Sequence, residues 1–333
     1  MSIHVGESPT LATLYTRYGC ERERNTWSGE APGLYQFITW AGERGIAYPH
    51  QVTPAVMELY WREAKGRLAE STVHTRISQM RSFWGWLRAH KVVADDPMLT
   101  IRVRKPMPVQ RERLDADELL QLIESAEFAQ HRVVIALAAN LALRGSEITD
   151  LRVRDLNTAE RMLTVRVHKT RELDHMPIND DLFVELERWM DVYREAVPYL
   201  ERSAYLAPSQ HYNQGKITYR PTTPIAEPYS IVQRSLERMG WRTTKQEGVH
   251  TIRRSVARIA FDAMEAETSF DDALLGTMRL LHHDKAETTL RYIGVDRQTQ
   301  ARDRFFARRP FLTRLAAGAP SLRIVRDERQ SNG

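Results

Sequence analysis

The stretch HRVVIALAANLALRG, residues 131 to 145, limits the fold more than any other. From Val133 to Leu143 only Asn140 is polar, so a helix here has no face that water would accept. It must be enclosed, which requires enough surrounding chain to build a core. The 333 residues, 42% of them hydrophobic, can supply two domains with a core each. Yet about three turns of apolar helix lead straight into Arg144 and Gly145. A guanidinium there must be paired or face an anion, because an unpaired buried charge is strongly unfavourable. Glu147, three residues on, is the candidate partner. A pair that merely closes a helix end and an arginine that binds an anion are equally open readings.

Charge and cysteine usage narrow the class. The 48 Lys and Arg against 43 Asp and Glu leave a formal +5, which permits a polyanionic partner without requiring one. The single cysteine, Cys20, excludes an internal disulfide and a cysteine-rich zinc cluster. No apolar run reaches the length of a membrane span, and the N-terminus lacks the basic-then-apolar order of a signal peptide. A soluble, cytoplasmic protein is expected.

The first third reads as helices. Thr53-Pro54 offers an N-cap followed by proline at the first helical position. Ser71 is the expected cap of a longer helix, whose core face is Val73, Ile77, Met80, Trp84 and Leu87. His74, Arg81 and Arg88 recur every seven residues as a basic stripe, by itself ordinarily just a solvated face, but the basic segment that follows makes the three candidates for contact with a polyanion's phosphates. After Pro97 comes IRVRKPMPVQRER, residues 101 to 113, basic and proline-spaced: an extended connector that can lie along phosphates through Arg102, Arg104 and Lys105. Asp115 and Glu118 then form a capping box that opens a second domain.

That second domain is mixed. MLTVRVH alternates as a strand, KTRELD turns and HMPI returns, a β-hairpin with Lys169 in its turn. Helices are expected from Ser230, Thr251 and about Asp271. In HTIRR, His250 and Arg253 share one face near a helix start, a good place for an anion, with Ile252, Val256, Ile259 and Ala263 as the apolar face opposite. In LLHHDKAETTLRY the adjacent His282 and His283 would diverge by about 100° on a helix, and no HExxH or CxxC is present, so no metal site is expected. Tyr292 on its own would read as a core tyrosine. Taken together, two arginines, a lysine, two histidines and a tyrosine suit attack on a phosphodiester. Cationic forks stabilise the charge gathering on the non-bridging oxygens, and neighbouring cations should lower the pKa of the phenol.

The order of these residues resembles the tyrosine recombinase (phage integrase) family: LALRGSEITDL, VHKTRELDHMPI, HTIRRS and LLHHDKAETTLRYI carry its motifs. The matching positions are Arg144, Lys169, His250, Arg253, His283 and Tyr292, with Glu147 on the family's acidic position. LYQFITWAGERG and ESTVHTRISQMRSFWGWLRAHKVVADDP look like its helical core-binding domain, so the likeness spans roughly residues 30 to 300. Two departures stand out. His282 replaces the glycine of the family's LGH, which leaves open whether it packs or reaches DNA, and Leu141-Ala142 replaces a TG pair. The short run before the core-binding domain points to a simple, Xer-like integrase without a separate arm-binding domain.

The resemblance implies a mainly α fold with a small β-hairpin or sheet in the catalytic domain. It implies a two-domain DNA clamp: a core-binding domain at 1–100, a linker at 101–113, a catalytic domain at 114–310 and a tail at 311–333. It further implies that Tyr292 attacks the scissile phosphate to leave a 3′-phosphotyrosyl link. Arg144 and Arg253 would clamp the non-bridging oxygens, and Lys169 would protonate the leaving 5′-oxygen. His250 would assist proton transfer, and His283 would donate to the phosphate. No cofactor or metal is called for. Partners would be duplex DNA bearing recombination sites, three further copies in a tetramer around the synapsed sites, and an accessory DNA-bending protein. The segment around Phe305 and Phe306 could dock on a neighbour or pack in cis. The alternatives are a type IB topoisomerase-like relaxase, which the core-binding domain disfavours, and a catalytically silent DNA-binding regulator, which the six intact residues disfavour.

Overall fold

A computed structural model of the chain describes residues 8–102, 112–167, 172–241 and 247–295. The chain divides into two compact units, Met1–Val109 and Gln110–Gly333.

The first unit holds four long helices among the described residues: α1 (Leu11–Glu21), α2 (Arg24–Gly42), α3 (Pro54–Lys65) and α4 (Glu70–Ala89). Local chemistry sets the start of α3. Thr53 Oγ1 accepts from the Val56 N–H at 3.3 Å, and Pro54 occupies a position whose N–H would have no partner. The five expected apolar residues of α4 are all buried, joined by Phe83, and Trp84 packs edge-on against Phe37 with centroids 5.7 Å apart. Ser71 is not the cap of α4, however. Ala69 holds that place without a side-chain bond, and Ser71 lies inside the first turn, its carbonyl accepting from Thr75. Along the basic stripe Arg81 and Arg88 are exposed and His74 is half-buried. Arg81 Nη2 also donates to the Ile101 carbonyl at 2.6 Å, anchoring the chain as it leaves this unit.

The second unit begins with α5 (Ala116–Glu124), opened by the capping box: the Glu118 N–H donates to Asp115 Oδ1 and the Asp115 N–H to Glu118 Oε2, each at 2.8 Å. Its centre is α6 (Ala129–Leu141), where every residue from Val133 to Ala138 is buried, as an apolar helix demands. α7 (Gly145–Asp150) follows. Strands β1 (Leu156–Asn157), β2 (Met162–Val167) and β3 (Glu172–Pro177) form one antiparallel sheet in that order, with Leu163, Val165 and Val167 of β2 turned to the core.

Sequence reading passed over two features here. One is α8 (Asp180–Ala196), capped by Asn179 and packed through Leu182, Leu186, Trp189 and Tyr193. The other is the hairpin β4 (Pro208–Asn213) and β5 (Lys216–Pro224), closed by Gln214 and Gly215, both at positive φ. Helices α9 (Pro228–Arg238), α10 (Val249–Glu267), α11 (Phe270–Leu280) and α12 (Ala286–Ile293) complete the unit. On α10 the expected apolar face is incomplete: Ile252 and Val256 are buried, Ile259 is half-buried and Ala263 is exposed, while Phe261 takes the inward place. The fold is thus mainly helical with small antiparallel sheets. No described helix is long and apolar enough to cross a membrane.

Candidate active site

α6 ends in a left-handed residue, Ala142, at φ +49, and this turn brings Arg144 to the N-cap of α7. Glu147, on the first turn of α7, is fully enclosed and holds both ends of that arginine: the Arg144 N–H donates to Oε2 and Nη1 to Oε1, each at 2.7 Å. Arg253 reaches the same carboxylate from α10, with Nη1 3.8 Å from Oε2. It is only 1% exposed, and its guanidinium donates to the carbonyls of Ala142 and Leu281. Arg144 Nη2 also donates to the Leu281 carbonyl, at 3.2 Å. One backbone oxygen at the end of α11 therefore gathers both guanidinium groups.

Burial alone would raise the Glu147 carboxyl, but the hydrogen bonds from Arg144 and the charges of Arg144 and Arg253 outweigh it and hold the group below the usual glutamate range. Burial, and then the charge of Arg144, bring Arg253 down to about 10, so it stays cationic at neutral pH.

Tyr292 sits near the end of the short helix α12, half-buried, with its hydroxyl donating to the His250 carbonyl at 3.4 Å. Arg253 acts on the phenol by charge and by hydrogen bonding. The expectation of a lowered pKa is corrected: burial pushes the phenol up and outweighs the opposing pull of Arg253, Arg254 and Arg144. His283 lies edge-on to the Tyr292 ring, centroids 5.5 Å apart, while its Nδ1 pairs with Thr289 Oγ1 at 3.0 Å. His250 is exposed at the start of α10.

Four of the six expected residues, Arg144, Arg253, His283 and Tyr292, thus gather through their side chains, and a fifth, His250, meets them through its backbone carbonyl. The sixth, Lys169, falls between β2 and β3 and lies outside the described residues, as do Arg104, Lys105, Phe305 and Phe306. Arg102 is exposed at the end of the first unit. Sequence reading missed Asp174 of β3, which engages His282, and left the role of His282 open. The two histidines are not on a helix at all. His282 takes a left-handed conformation just past α11, and its Nε2 donates to Asp174 Oδ2 at 2.8 Å. The only sequence signal was the absence of glycine where a turn was due.

The sequence model of the phage integrase family matches residues 112–299, more than half of the chain. The chain belongs to the phage integrase family. As a tyrosine recombinase it is a site-specific recombinase enzyme. This integrase-family chain is similar to tyrosine recombinase XerC 2 of Ralstonia nicotianae, at 25% identity over 81% of this chain and 77% of that protein. It is similar to tyrosine recombinase XerC of Xanthomonas campestris pv. campestris at 26% identity, covering 81% and 78%. Among solved structures its fold is like that of the Tn1549 transposon integrase in complex with transposon right end DNA, with TM-score 0.64 and 12% identity over 90% of this chain and 99% of that one. It is also like the lambda integrase tetramer bound to a Holliday junction, with TM-score 0.61 and 17% identity over 85% and 78%.

Proposed function

We propose that this recombinase cleaves and rejoins duplex DNA at specific sites through a 3′-phosphotyrosyl link formed by Tyr292. The Tyr292 hydroxyl attacks the scissile phosphorus, its P–O bond forms as the bond to the 5′-oxygen breaks, and the leaving oxygen takes up a proton. The observation that carries this reading is the shared placement of Arg144, Arg253 and Tyr292: two guanidinium groups on one carbonyl, and the phenol on the backbone of the first turn of the helix that carries Arg253. Such an arrangement suits a phosphate that gains negative charge as it is attacked. Of the two guanidinium groups, Arg144 is the more open to solvent, and both give up backbone carbonyls in exchange for phosphate oxygens.

In this reading His283 donates to the phosphate, His250 assists the phenol's proton and Lys169 protonates the leaving oxygen. The first unit is the core-binding domain, residues 101–113 cross the DNA backbone, and the two units close around the duplex as a clamp. Four copies synapse two sites in the cytoplasm, needing no cofactor because the protein–DNA ester conserves the bond. The DNA-bound relatives support the partner and the assembly. The test is a nicked suicide substrate carrying the element's own site. Wild type should accumulate a covalent protein–DNA adduct, and Tyr292→Phe should bind the same DNA without forming one. Absence of any wild-type adduct would falsify the reading. A plasmid with two sites should yield deletions or inversions; relaxation alone would point instead to a topoisomerase-like enzyme.

A further inference from the structure

His282 occupies the first position after the C-cap of α11, at φ +49, a conformation that side chains with a Cβ rarely adopt. A strained residue persists only where its surroundings over-determine it. Here the surroundings are specific. The His282 side chain is 5% exposed, and its Nε2 must be the protonated nitrogen because its partner at 2.8 Å, Asp174 Oδ2, can only accept. Its Nδ1 makes no hydrogen bond and lies 3.9 Å from Glu147 Oε1, the oxygen that receives Arg144 Nη1. Asp174 is itself fixed on β3, opposite Val165, and ion-paired with Arg279 at 2.7 Å.

We propose that His282 is a positioning residue: pinned by Asp174, it holds the left-handed turn after α11 and so fixes the Leu281 carbonyl that gathers Arg144 and Arg253. The proposal rests on the recombinase reading above and deepens it, because it names what sets the phosphate-binding arginines in register. Glycine would allow the turn without fixing it. Histidine with aspartate makes the turn a rigid link between sheet and arginines, at the expense of backbone strain.

The role differs from packing and from direct DNA contact in what it predicts for three variants of the full-length protein, His282→Ala, His282→Gly and Asp174→Asn. Alanine keeps the strain and loses the pin, so single-turnover cleavage should fall between about tenfold and a hundredfold. DNA affinity should stay within about twofold, since the pin touches no phosphate. Asp174→Asn should fall in the same direction. His282→Gly should recover only part of the alanine loss, because glycine adopts the turn without strain but carries no pin. On a substrate with a neutral methylphosphonate at the scissile position one oxygen fewer carries charge, the arginines matter less, and all three variants should fall closer to wild type. Wild-type cleavage by His282→Gly or by Asp174→Asn, or a loss that persists undiminished on the methylphosphonate, overturns the proposal. Melting of the free protein supplies a readout independent of cleavage. Wild type should melt above both His282→Ala and Asp174→Asn; equal melting of wild type and Asp174→Asn would mean the imidazole only fills space. If wild type forms no adduct, the recombinase reading falls, while the melting order still decides the role of the turn.

Discussion

Glu147 grips Arg144 at both ends, its Oε2 on the backbone N–H and its Oε1 on the guanidinium, each at 2.7 Å. The carboxylate has no exposed surface and also faces Arg253, so it neutralises two cations that otherwise share an enclosed space. Glu147→Ala should therefore lower stability by about 3–5 kcal/mol, read from urea unfolding, because it leaves buried charge without a partner. Glu147→Gln keeps the acceptor oxygen and should lose less. The pH dependence follows from the depressed carboxyl. An unfolded glutamate titrates at about 4.3 and the folded one lower, so the ionised group contributes fully above the unfolded value. That contribution disappears as pH falls through the folded value. The stability gap between wild type and Glu147→Gln should be constant at neutral pH and close in acid below about pH 4.

In the proposed reaction Tyr292 must lose its proton to attack, and its burial works against that. Single-turnover cleavage should therefore rise with pH through the neutral range, approaching tenfold per unit where proton removal limits the rate. A rate that is flat from neutral pH upward would mean that the phenol's proton already has an acceptor in the resting enzyme.

Arg253 spans the carbonyls of Ala142 and Leu281 with two nitrogens of one planar fork. Lysine carries the charge but cannot make that bidentate reach. Arg253→Lys should cut the cleavage rate by about a hundredfold or more while leaving DNA affinity within a few fold, since the group acts mainly on the developing charge. Equal losses in binding and cleavage would show that Arg253 holds the ground state instead.

Ala142 is wholly buried at φ +49, and its carbonyl is one of the two that Arg253 uses. Ala142→Gly relieves the left-handed strain but frees the unfolded chain, so the net gain should be at most about 1 kcal/mol, with cleavage retained. Ala142→Val adds a branched side chain to that conformation and a methyl group pair to a filled core. It should cost about 2 kcal/mol or more by thermal melting and lower cleavage with it.

These residues also mark where sequence reading succeeds. Periodicity and capping are local, so the buried α6, the Asp115–Glu118 box and the Arg144–Glu147 pair were legible before any coordinates. The candidate site residues stood out in the sequence because, taken together, their chemistry is odd for their surroundings. The pKa of Tyr292 was not, because the depth at which α12 packs is a tertiary property while its cationic neighbours are visible in the sequence. Nor was the pairing of His282 with Asp174, 108 residues apart and joined only when β3 meets the end of α11. Hairpin β4–β5 was passed over because its strands are mostly polar: β5 alternates half-buried with exposed residues, but only Ile217 and Tyr219 mark its inner face as apolar or aromatic, and prolines interrupt the rest.

The basic stripe and linker carry the last prediction. Arg88 and Arg102 are exposed, whereas Arg81 already spends Nη2 on the Ile101 carbonyl. Each phosphate contact that is lost should flatten the plot of log affinity against log salt by about 0.9. Neutralising Arg102, Arg104 and Lys105 together to glutamine should weaken binding to cognate and unrelated duplexes alike and reduce that slope by up to about 3. Arg88→Gln should act in the same way by a single step. Arg81→Gln should do less to the slope but should lower the melting temperature of the first unit, because it releases the chain at Ile101. A salt slope unchanged by the triple substitution would mean that this segment serves only as a tether, and that the first unit finds its phosphates elsewhere.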